Sequence, residues 1–313
     1  MPSASSRLLM RFCLVCSAGL APSAMADEFR LPSPGSDVVG QISVALAAHA
    51  DTLADIARRF NIGHQEIRIA NPSVDFWLPG EGTRVTIPGA YILPDARRQG
   101  IVLNVPEMRL YYFPEPGKKG GDAGVVVTYP VSIGRMDWST PLGRTRVTAK
   151  VRNPSWTPPA SIHREHAARG EPLPKVVPPG PDNPLGDYAL RLDIPGYLIH
   201  GTNRPYGVGM RVTHGCVRMY PEDIEDLFSF IPVGIAVEIV DQPIKLGWLR
   251  DTLYIEVHPL LDEDARNADE LRQMALELIA KTETVRPLLL SGRRLQKALD
   301  EQSGLPVPIA ESP

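Results

Sequence analysis

Residues 101–113 read IVLNVPEMRLYYF, and this stretch decides the fold class. Two short runs of β-branched and aromatic residues are separated by a break, a pattern typical of consecutive strands. Similar runs follow at 125–129 (VVVTY) and 146–151 (RVTAKV), with turn signals such as Pro114-Glu115-Pro116-Gly117 between the runs. Several short strands separated by turns predict a mainly β domain, a β-sandwich or barrel.

The segment that follows these strands is rich in proline. Residues 152–187 hold few apolar side chains in sequence, and we expect them to form a long ordered loop over one end of the sheet. Loops of that length in a compact domain are usually functional. Beyond Asp241, the pattern predicts a partly helical C-terminal extension over 242–313. Its elements are a strand at 253–258, a helix at 268–281, a second helix at 288–299 and a disordered last dozen residues.

The chain before the strands reads as a small α+β (βααβ) unit over 40–88. Asp51-Thr52 is a cap signal for a helix over 53–60, and a second apolar segment around 67–70 stops at Asn71-Pro72. A closing strand is predicted at 84–88. The entry strand is the weakest part of the pattern, because residues 43–50 are alanine-rich.

The first 26 residues have the features of a signal peptide. Arg7 and Arg11 precede an apolar run over 12–21, and Ala24-Met25-Ala26 offers a small-x-small cleavage pattern. The run is too short to span a bilayer, for which ~20 residues are needed. An uncleaved anchor is the alternative, while lipidation is disfavoured because Val15 precedes Cys16. We therefore expect cleavage after Ala26, export out of the cytoplasm and no stable membrane insertion.

Cleavage would change both the charge and the cysteine count. It removes two arginines and no acidic residue, so the formal charge moves from −3 to −5. That balance argues against nucleic acid as a partner. Cys13 and Cys16 are removed as well, which leaves Cys216 as the sole thiol and excludes an intramolecular disulfide. A lone cysteine is either an inert buried side chain or a reactive one.

Two histidines lie near this cysteine, in Ile199-His200-Gly201-Thr202-Asn203 and Thr213-His214-Gly215-Cys216-Val217-Arg218-Met219. A cysteine nucleophile needs a neighbouring base or imidazolium to form its thiolate. His214 is too near in the chain to face Cys216 without a turn, which Gly215 would permit. His200 follows an apolar strand and can lie on a neighbouring strand directly across from Cys216. Spacing therefore favours His200 as the base, with hydrogen-bonded structural histidines as the alternative.

These motifs resemble the signature of the L,D-transpeptidase (YkuD-type) catalytic domain, and residues 99–241 are similar to that domain throughout. The shared segments include Asp137 to Thr145, Trp156-Thr157-Pro158 and residues 180–186. Residues 40–88 resemble the LysM module through Asp51 to Ala57, Ile69-Ala70-Asn71-Pro72 and Leu78-Pro79-Gly80. The resemblance, which covers residues 27 to about 258, is closest to periplasmic members with an N-terminal LysM-like module.

The resemblance implies roles for individual residues. Cys216 would be the nucleophile, His200 the general acid and base, and Gly201 the carbonyl that orients the imidazole. The backbone amides around His214, Gly215 and Cys216 would form an oxyanion hole. The candidate substrate-binding set is Arg218, Arg211, Thr213 and Asn203, in which an arginine can hold a substrate carboxylate by a bidentate pair.

The resemblance also implies the substrate and its partners. Peptidoglycan would supply the stem, and an outer-membrane lipoprotein lysine or a diaminopimelate amine would be the acceptor. Two alternatives stay open, a hydrolase that uses the same site and a wall-binding protein without activity. No cofactor is expected, and no metal either, because His163 and His166 lack a third ligand at a recognisable spacing. Trp138 and Trp156 either stack on substrate or fill the core.

Overall fold

The computed structural model describes residues 27–33, 35–115, 124–135, 138–261 and 264–313. The predicted signal peptide, residues 1–26, lies outside these described residues. Within them, no helix combines the length and the apolar character that crossing a membrane requires.

The described chain holds 19 strands and six α-helices. The strands are β1 (Asp27–Arg30), β2 (Val38–Gly40), β3 (Ser43–Leu46), β4 (Arg84–Ile87), β5 (Ala90–Ile92), β6 (Gly100–Asn104), β7 (Arg109–Phe113), β8 (Val125–Pro130), β9 (Ile133–Gly134), β10 (Gly143–Arg152), β11 (Tyr188–Leu192), β12 (Leu198–His200), β13 (Arg211–Thr213), β14 (Val217–Arg218), β15 (Ala236–Val240), β16 (Ile244–Leu249), β17 (Thr252–Val257), β18 (Leu289–Leu290) and β19 (Val307–Glu311). The helices are α1 (Leu53–Arg59), α2 (His64–Ala70), α3 (Ala160–Ala168), α4 (Pro221–Phe230), α5 (Ala268–Glu283) and α6 (Gly292–Glu301).

The main sheet has nine strands in the order β1-β8-β7-β6-β15-β10-β11-β12-β14. The long strand β10 joins its two halves. Residues 143–146 pair with β15, and residues 147–152 pair with β11, with a register shift between Val147 and Ala149. An irregularity of this kind bends a strand and increases its twist. Both halves of the curled sheet therefore line one core, with Leu103 and Leu110 from the first half and Leu190 and Ile199 from the second. The prediction of a mainly β catalytic region is confirmed.

Helix α4 closes this core. Its apolar side chains Ile224, Leu227 and Phe228 pack into the cluster that the sheet encloses. The helix begins at Pro221, five residues after Cys216 in the sequence, so core packing fixes the chain immediately beyond the candidate nucleophile. Proline is well suited to the first turn of a helix because its missing N–H has no partner there.

The segment 43–87 runs strand, helix, helix, strand, with β3 and β4 paired antiparallel. Thr52 caps α1 reciprocally with Asp55, as its position predicts. The entry strand β3 does form, although its alanine-rich sequence argues against it. The buried Arg109 on β7 joins this unit to the main sheet, donating to both carboxylate oxygens of Glu66 at 2.8 and 2.9 Å. That the segment is a LysM-like module stays a prediction.

The C-terminal extension has a core of its own. Strands β16-β17-β19-β18 form an antiparallel sheet against which α5 and α6 pack. The expectation that the last dozen residues are disordered is wrong: β19 pairs with β17, and its Ile309 is fully buried. The second helix begins at Gly292, four residues later than expected, because Leu289 and Leu290 pair with β19 instead.

A buried charge cluster attaches this extension to the main sheet. The ammonium of Lys245 lies 2.8 Å from Glu107 and 2.7 Å from Glu256, and both carboxylates are fully buried. Glu256 also bonds His258 at 2.7 Å. Glu107, Glu256 and His258 present ligand atoms close enough for a metal, but the Lys245 ammonium lies against both carboxylates. Removing one partner of an ion pair buried in this way strongly destabilises the folded protein, because the other charge is left uncompensated.

The proline-rich segment contains a helix that its sequence did not suggest. Residues 152–187 include α3 in addition to extended chain, so the expectation of a loop throughout is wrong. Buried Asn183 organises the rest, donating to the carbonyls of Pro154 and Pro178 at 2.7 and 3.1 Å. The helix arises where the prolines stop, in the run ASIHREHAA between Pro159 and Arg169.

Candidate active site

Two parallel strands bring the candidate nucleophile and base together. β12 pairs with β14 so that Ile199 is opposite Val217 and His200 is opposite Arg218. Cys216 directly precedes β14 and is therefore level with Leu198. The expectation that His200 lies directly across from Cys216 is wrong by two residues in register. Because side chains alternate along a strand, His200, Cys216 and Arg218 still share one face.

The imidazole of His200 is buried, with 4% of the residue exposed. Its Nδ1 lies 2.6 Å from the carbonyl oxygen of Gly201. A carbonyl can only accept, so Nδ1 carries the proton and Nε2 is left to accept one. Burial, aided by the charge of Arg218 and opposed by the carbonyls of Gly201 and Leu185, lowers the pKa of His200 to about 4. The ring is therefore neutral at physiological pH.

Cys216 is a free, partly buried thiol. Its Sγ lies 3.7 Å from the carbonyl oxygen of Gly196. Burial raises the pKa of the Cys216 thiol, while the backbone of Leu198 and the charge of Arg218 act in the opposite direction. The resting thiol is therefore protonated beside a neutral imidazole, so a base must remove its proton when it reacts.

A tight turn presents Cys216, and we call residues 213–216 the catalytic turn. Gly215 has φ +95°, and a Cβ there would lie 2.6 Å from the Tyr197 ring, so only glycine fits without displacing its neighbours. The Thr213 hydroxyl donates to the Cys216 carbonyl at 2.5 Å, and Thr140 donates to the Gly215 carbonyl at 3.2 Å. These contacts fix the turn from both sides. Thr213 is itself 3% exposed, and its hydroxyl is used within the turn.

The side chain of His214 is held by contacts away from the strand pair. Its Nε2 lies 3.0 Å from Oε2 of Glu165 on α3 and 3.3 Å from Nη2 of Arg135. The ring of Trp138 meets it edge-on at 5.5 Å. Glu165 lies between His163 and His166 in the sequence, and no pattern predicted its contact with His214. Its pairing with His214 has no local signal, because 49 residues separate them.

The arginines predicted for substrate binding differ in their surroundings. Arg218 has no acidic partner among the residues that the structure describes, and its Nε is buried without a hydrogen bond. Burial and the nearby charge of Arg204 lower the pKa of Arg218. Arg204 was not singled out by the sequence. Arg211 lies on β13, beside the turn, and is partly buried.

Other predicted residues lie apart from the thiol. Asn203 is exposed and donates to the Pro181 carbonyl at 3.2 Å, which ties the chain after His200 to the proline-rich segment. His163 and His166 lie on α3, where the Nδ1 of His166 is 4.0 Å from Glu171. Trp156 forms a β-bridge with Val177 inside the proline-rich segment.

Several known proteins align with this chain over nearly its whole length. The family model of the L,D-transpeptidase catalytic domain (YkuD) matches residues 98–239. Among curated proteins of Escherichia coli K12, the probable L,D-transpeptidase YbiS is 42% identical over 295 residues, covering 92% of this chain and 94% of that protein. The probable L,D-transpeptidase YcfS is 38% identical, over an alignment that covers 97% of this chain and 95% of that protein. The probable L,D-transpeptidase ErfK/SrfK is also 38% identical, and the alignment covers 96% of this chain and 98% of that protein.

Proposed function

This chain belongs to the L,D-transpeptidase family, and we propose that Cys216 is the nucleophile that acts on the peptide stems of peptidoglycan. His200 serves as general acid and base. The observation that carries the proposal is a neutral, buried imidazole held by the Gly201 carbonyl, on the same sheet face as the free thiol. An Nε2 that carries no proton and a protonated thiol suit proton transfer concerted with attack.

The first step is acylation of the enzyme. Sγ of Cys216 attacks the carbonyl carbon of the third residue of a tetrapeptide stem, and the thiol proton passes to His200 Nε2. The tetrahedral intermediate collapses to a thioester as the bond to the terminal D-alanine nitrogen breaks. His200 returns its proton to that leaving amine. Backbone amides of the turn around His214, Gly215 and Cys216 stabilise the oxyanion, a contribution worth ~3 kcal/mol per donor in other acyl-transfer enzymes.

The second step transfers the stem to an acceptor. A primary amine attacks the thioester, its proton passes to His200, and the proton then returns to sulfur as the amide forms. In both steps Cys216 Sγ carries the acyl group and His200 Nε2 moves the protons. Water in place of the amine would make the same site an L,D-carboxypeptidase or a wall-releasing peptidase, and the acceptor groove decides between them by excluding water.

Arg218 holds a carboxylate of the stem. Its guanidinium lies on the same face as Cys216, is largely buried and lacks an acidic partner among the described residues. A buried cation without a counter-ion is costly, and a bidentate carboxylate would relieve that cost. Arg211, Thr213 and Asn203 complete the substrate-binding set, with Thr213 acting through the catalytic turn.

The remaining parts of the chain place the reaction in the cell. Residues 1–26 direct export and are removed after Ala26, so the enzyme works in the periplasm. Residues 40–88 form a LysM-like module that either binds the glycan strands or packs to position the catalytic domain over 99–241. The chain from Asp27 carries a formal charge of −5, which draws in a basic lipoprotein terminus over roughly a Debye length, ~8–10 Å. Together with the resemblance to periplasmic members that bear a LysM-like module, which carries most of the weight, this charge favours a lipoprotein lysine over diaminopimelate as the acceptor.

Mass spectrometry of muropeptides tests the proposal. The mature protein is incubated with purified sacculi, and the expected products are stems that have lost D-alanine and gained an amine acceptor. Cys216→Ala is the matched control and should yield neither product. Sacculi from a gene deletion then identify the acceptor: loss of wall-bound lipoprotein supports a lysine, whereas loss of 3,3 cross-links supports diaminopimelate. Stems shortened without any transfer would identify a hydrolase.

A further inference from the structure

Glu165 is the point at which helix α3 meets the catalytic turn. Its Oε2 accepts a hydrogen bond from Arg135 Nη2 at 2.5 Å and lies 3.0 Å from His214 Nε2. Its Oε1 accepts a hydrogen bond from Arg169 Nη2 at 2.5 Å. The Arg135 and His214 contacts, with a contribution from Arg169, hold the pKa of Glu165 at about 2. The carboxylate is therefore ionised at any pH at which an enzyme of this kind would work.

The same contacts decide which ring nitrogen of His214 carries the proton. Nε2 has two polar neighbours, the Glu165 carboxylate, which only accepts, and the Arg135 guanidinium, which only donates. The carboxylate is the nearer, and a lone pair facing it would be repelled. Nε2 is therefore protonated and donates to Glu165. Nδ1 is then the ring nitrogen without a proton.

We propose that Glu165 is a positioning residue that holds His214 in its Nε2–H form and thereby sets the catalytic turn. The inference rests on the function proposed above. The other supports of the turn, Thr140 and Thr213, come from chain close to the strands, whereas Glu165 comes from the proline-rich segment. Asn203 binds Pro181 in that same segment. The position of α3 and the orientation of the His214 ring are thus linked through one carboxylate.

Three variants separate this role from a general effect on α3. Glu165→Ala removes the acceptor, so Nε2 faces only the Arg135 donor and the proton should move to Nδ1. Glu165→Gln keeps an acceptor oxygen and should restore the Nε2–H form. Arg169→Ala removes a partner from the same carboxylate without touching His214, which makes it the matched control.

Two measurements are made on each variant. Nitrogen-15 NMR of histidine-labelled protein at pH 8.5, with the signal assigned by its loss in His214→Gln, reports the tautomer. Single-turnover acylation of Cys216 by a carbapenem, followed by mass spectrometry, reports the reaction. We expect acylation to slow about tenfold in Glu165→Ala, and to stay within about threefold of wild type in Glu165→Gln and about twofold in Arg169→Ala, by analogy with other partners that orient a functional histidine.

An unchanged tautomer or a wild-type rate in Glu165→Ala would overturn the inference. Equal slowing in Glu165→Ala and Arg169→Ala would do so too, because it would point to the stability of α3 alone. Failure of the proposed function looks different: wild-type protein would then form no adduct at Cys216, while the tautomer of His214 would still respond to the variants.

Discussion

Cys216 and His200 are expected to rest as a neutral thiol and a neutral imidazole, not as an ion pair. The pKa of Cys216 is raised above its ordinary value near 9, and that of His200 is lowered to about 4. Both shifts oppose proton transfer from sulfur to Nε2. The lowered pKa of His200, about 4 against an ordinary 6.5, adds roughly 3 kcal/mol to the cost of the transfer. The raised pKa of Cys216 adds to that cost, so the neutral pair is favoured and the thiolate is a minor species at neutral pH.

The pH dependence of Cys216 alkylation tests this state. Iodoacetamide reacts with the thiolate, so its rate on the chain from Asp27 should keep rising beyond pH 8.5 without a plateau at neutral pH. His200→Ala should leave that profile unchanged and yet slow acylation by a carbapenem. A plateau with a midpoint below pH 7, moving upward in His200→Ala, would refute the reasoning, because that is the signature of a thiolate held by an imidazolium.

Four further outcomes are expected. Folded wild-type protein gains the mass of one carbapenem at Cys216, and Cys216→Ala gains none while keeping its fold by circular dichroism; a folded wild type without any mass gain would count against the site. His200→Ala lowers turnover on a stem peptide by at least about a hundredfold, and His214→Ala lowers it less; equal partial losses would show that the two roles are assigned wrongly. Between pH 6.5 and pH 4, His200 stays neutral in the folded protein, where its pKa is about 4, but is protonated in the unfolded chain, where its pKa is near 6.5. The free energy of unfolding that His200 contributes above pH 6.5 therefore falls by roughly 3 kcal/mol on acidification to pH 4. Urea denaturation at a series of pH values should show a weaker pH dependence of that free energy for His200→Asn. Lys245→Met leaves two buried glutamates without their ammonium partner and lowers the free energy of unfolding by about 3–5 kcal/mol. Lys150→Met removes an ammonium that bonds the Ile231 carbonyl and lies over the Phe228 ring, which costs about 1–2 kcal/mol; similar losses in urea denaturation would show that the cluster is not strongly coupled.

Local sequence determined the elements that depend on neighbouring residues alone. The strand runs around 101–113 and 125–129 occur where their β-branched and aromatic residues predict them. The α1 cap at Thr52 and the start of α5 at Ala268 are also encoded within a few residues. The candidate nucleophile and its base were identified in the same way, because glycine, histidine and cysteine recur at a short, specific spacing.

The tertiary structure decided what depends on residues far apart in the chain. No local pattern sets the β12/β14 register, so only the structure shows that Arg218, and not Cys216, is opposite His200. Strand β19 looked disordered because its residues gain order by pairing with β17, more than 50 residues earlier, and with β18. The contact between Glu165 and His214 spans 49 residues and is equally invisible in sequence. Burial, which shifts the pKa values of Cys216 and His200, belongs to the assembled core and to no single segment, since desolvation depends on everything packed around a group.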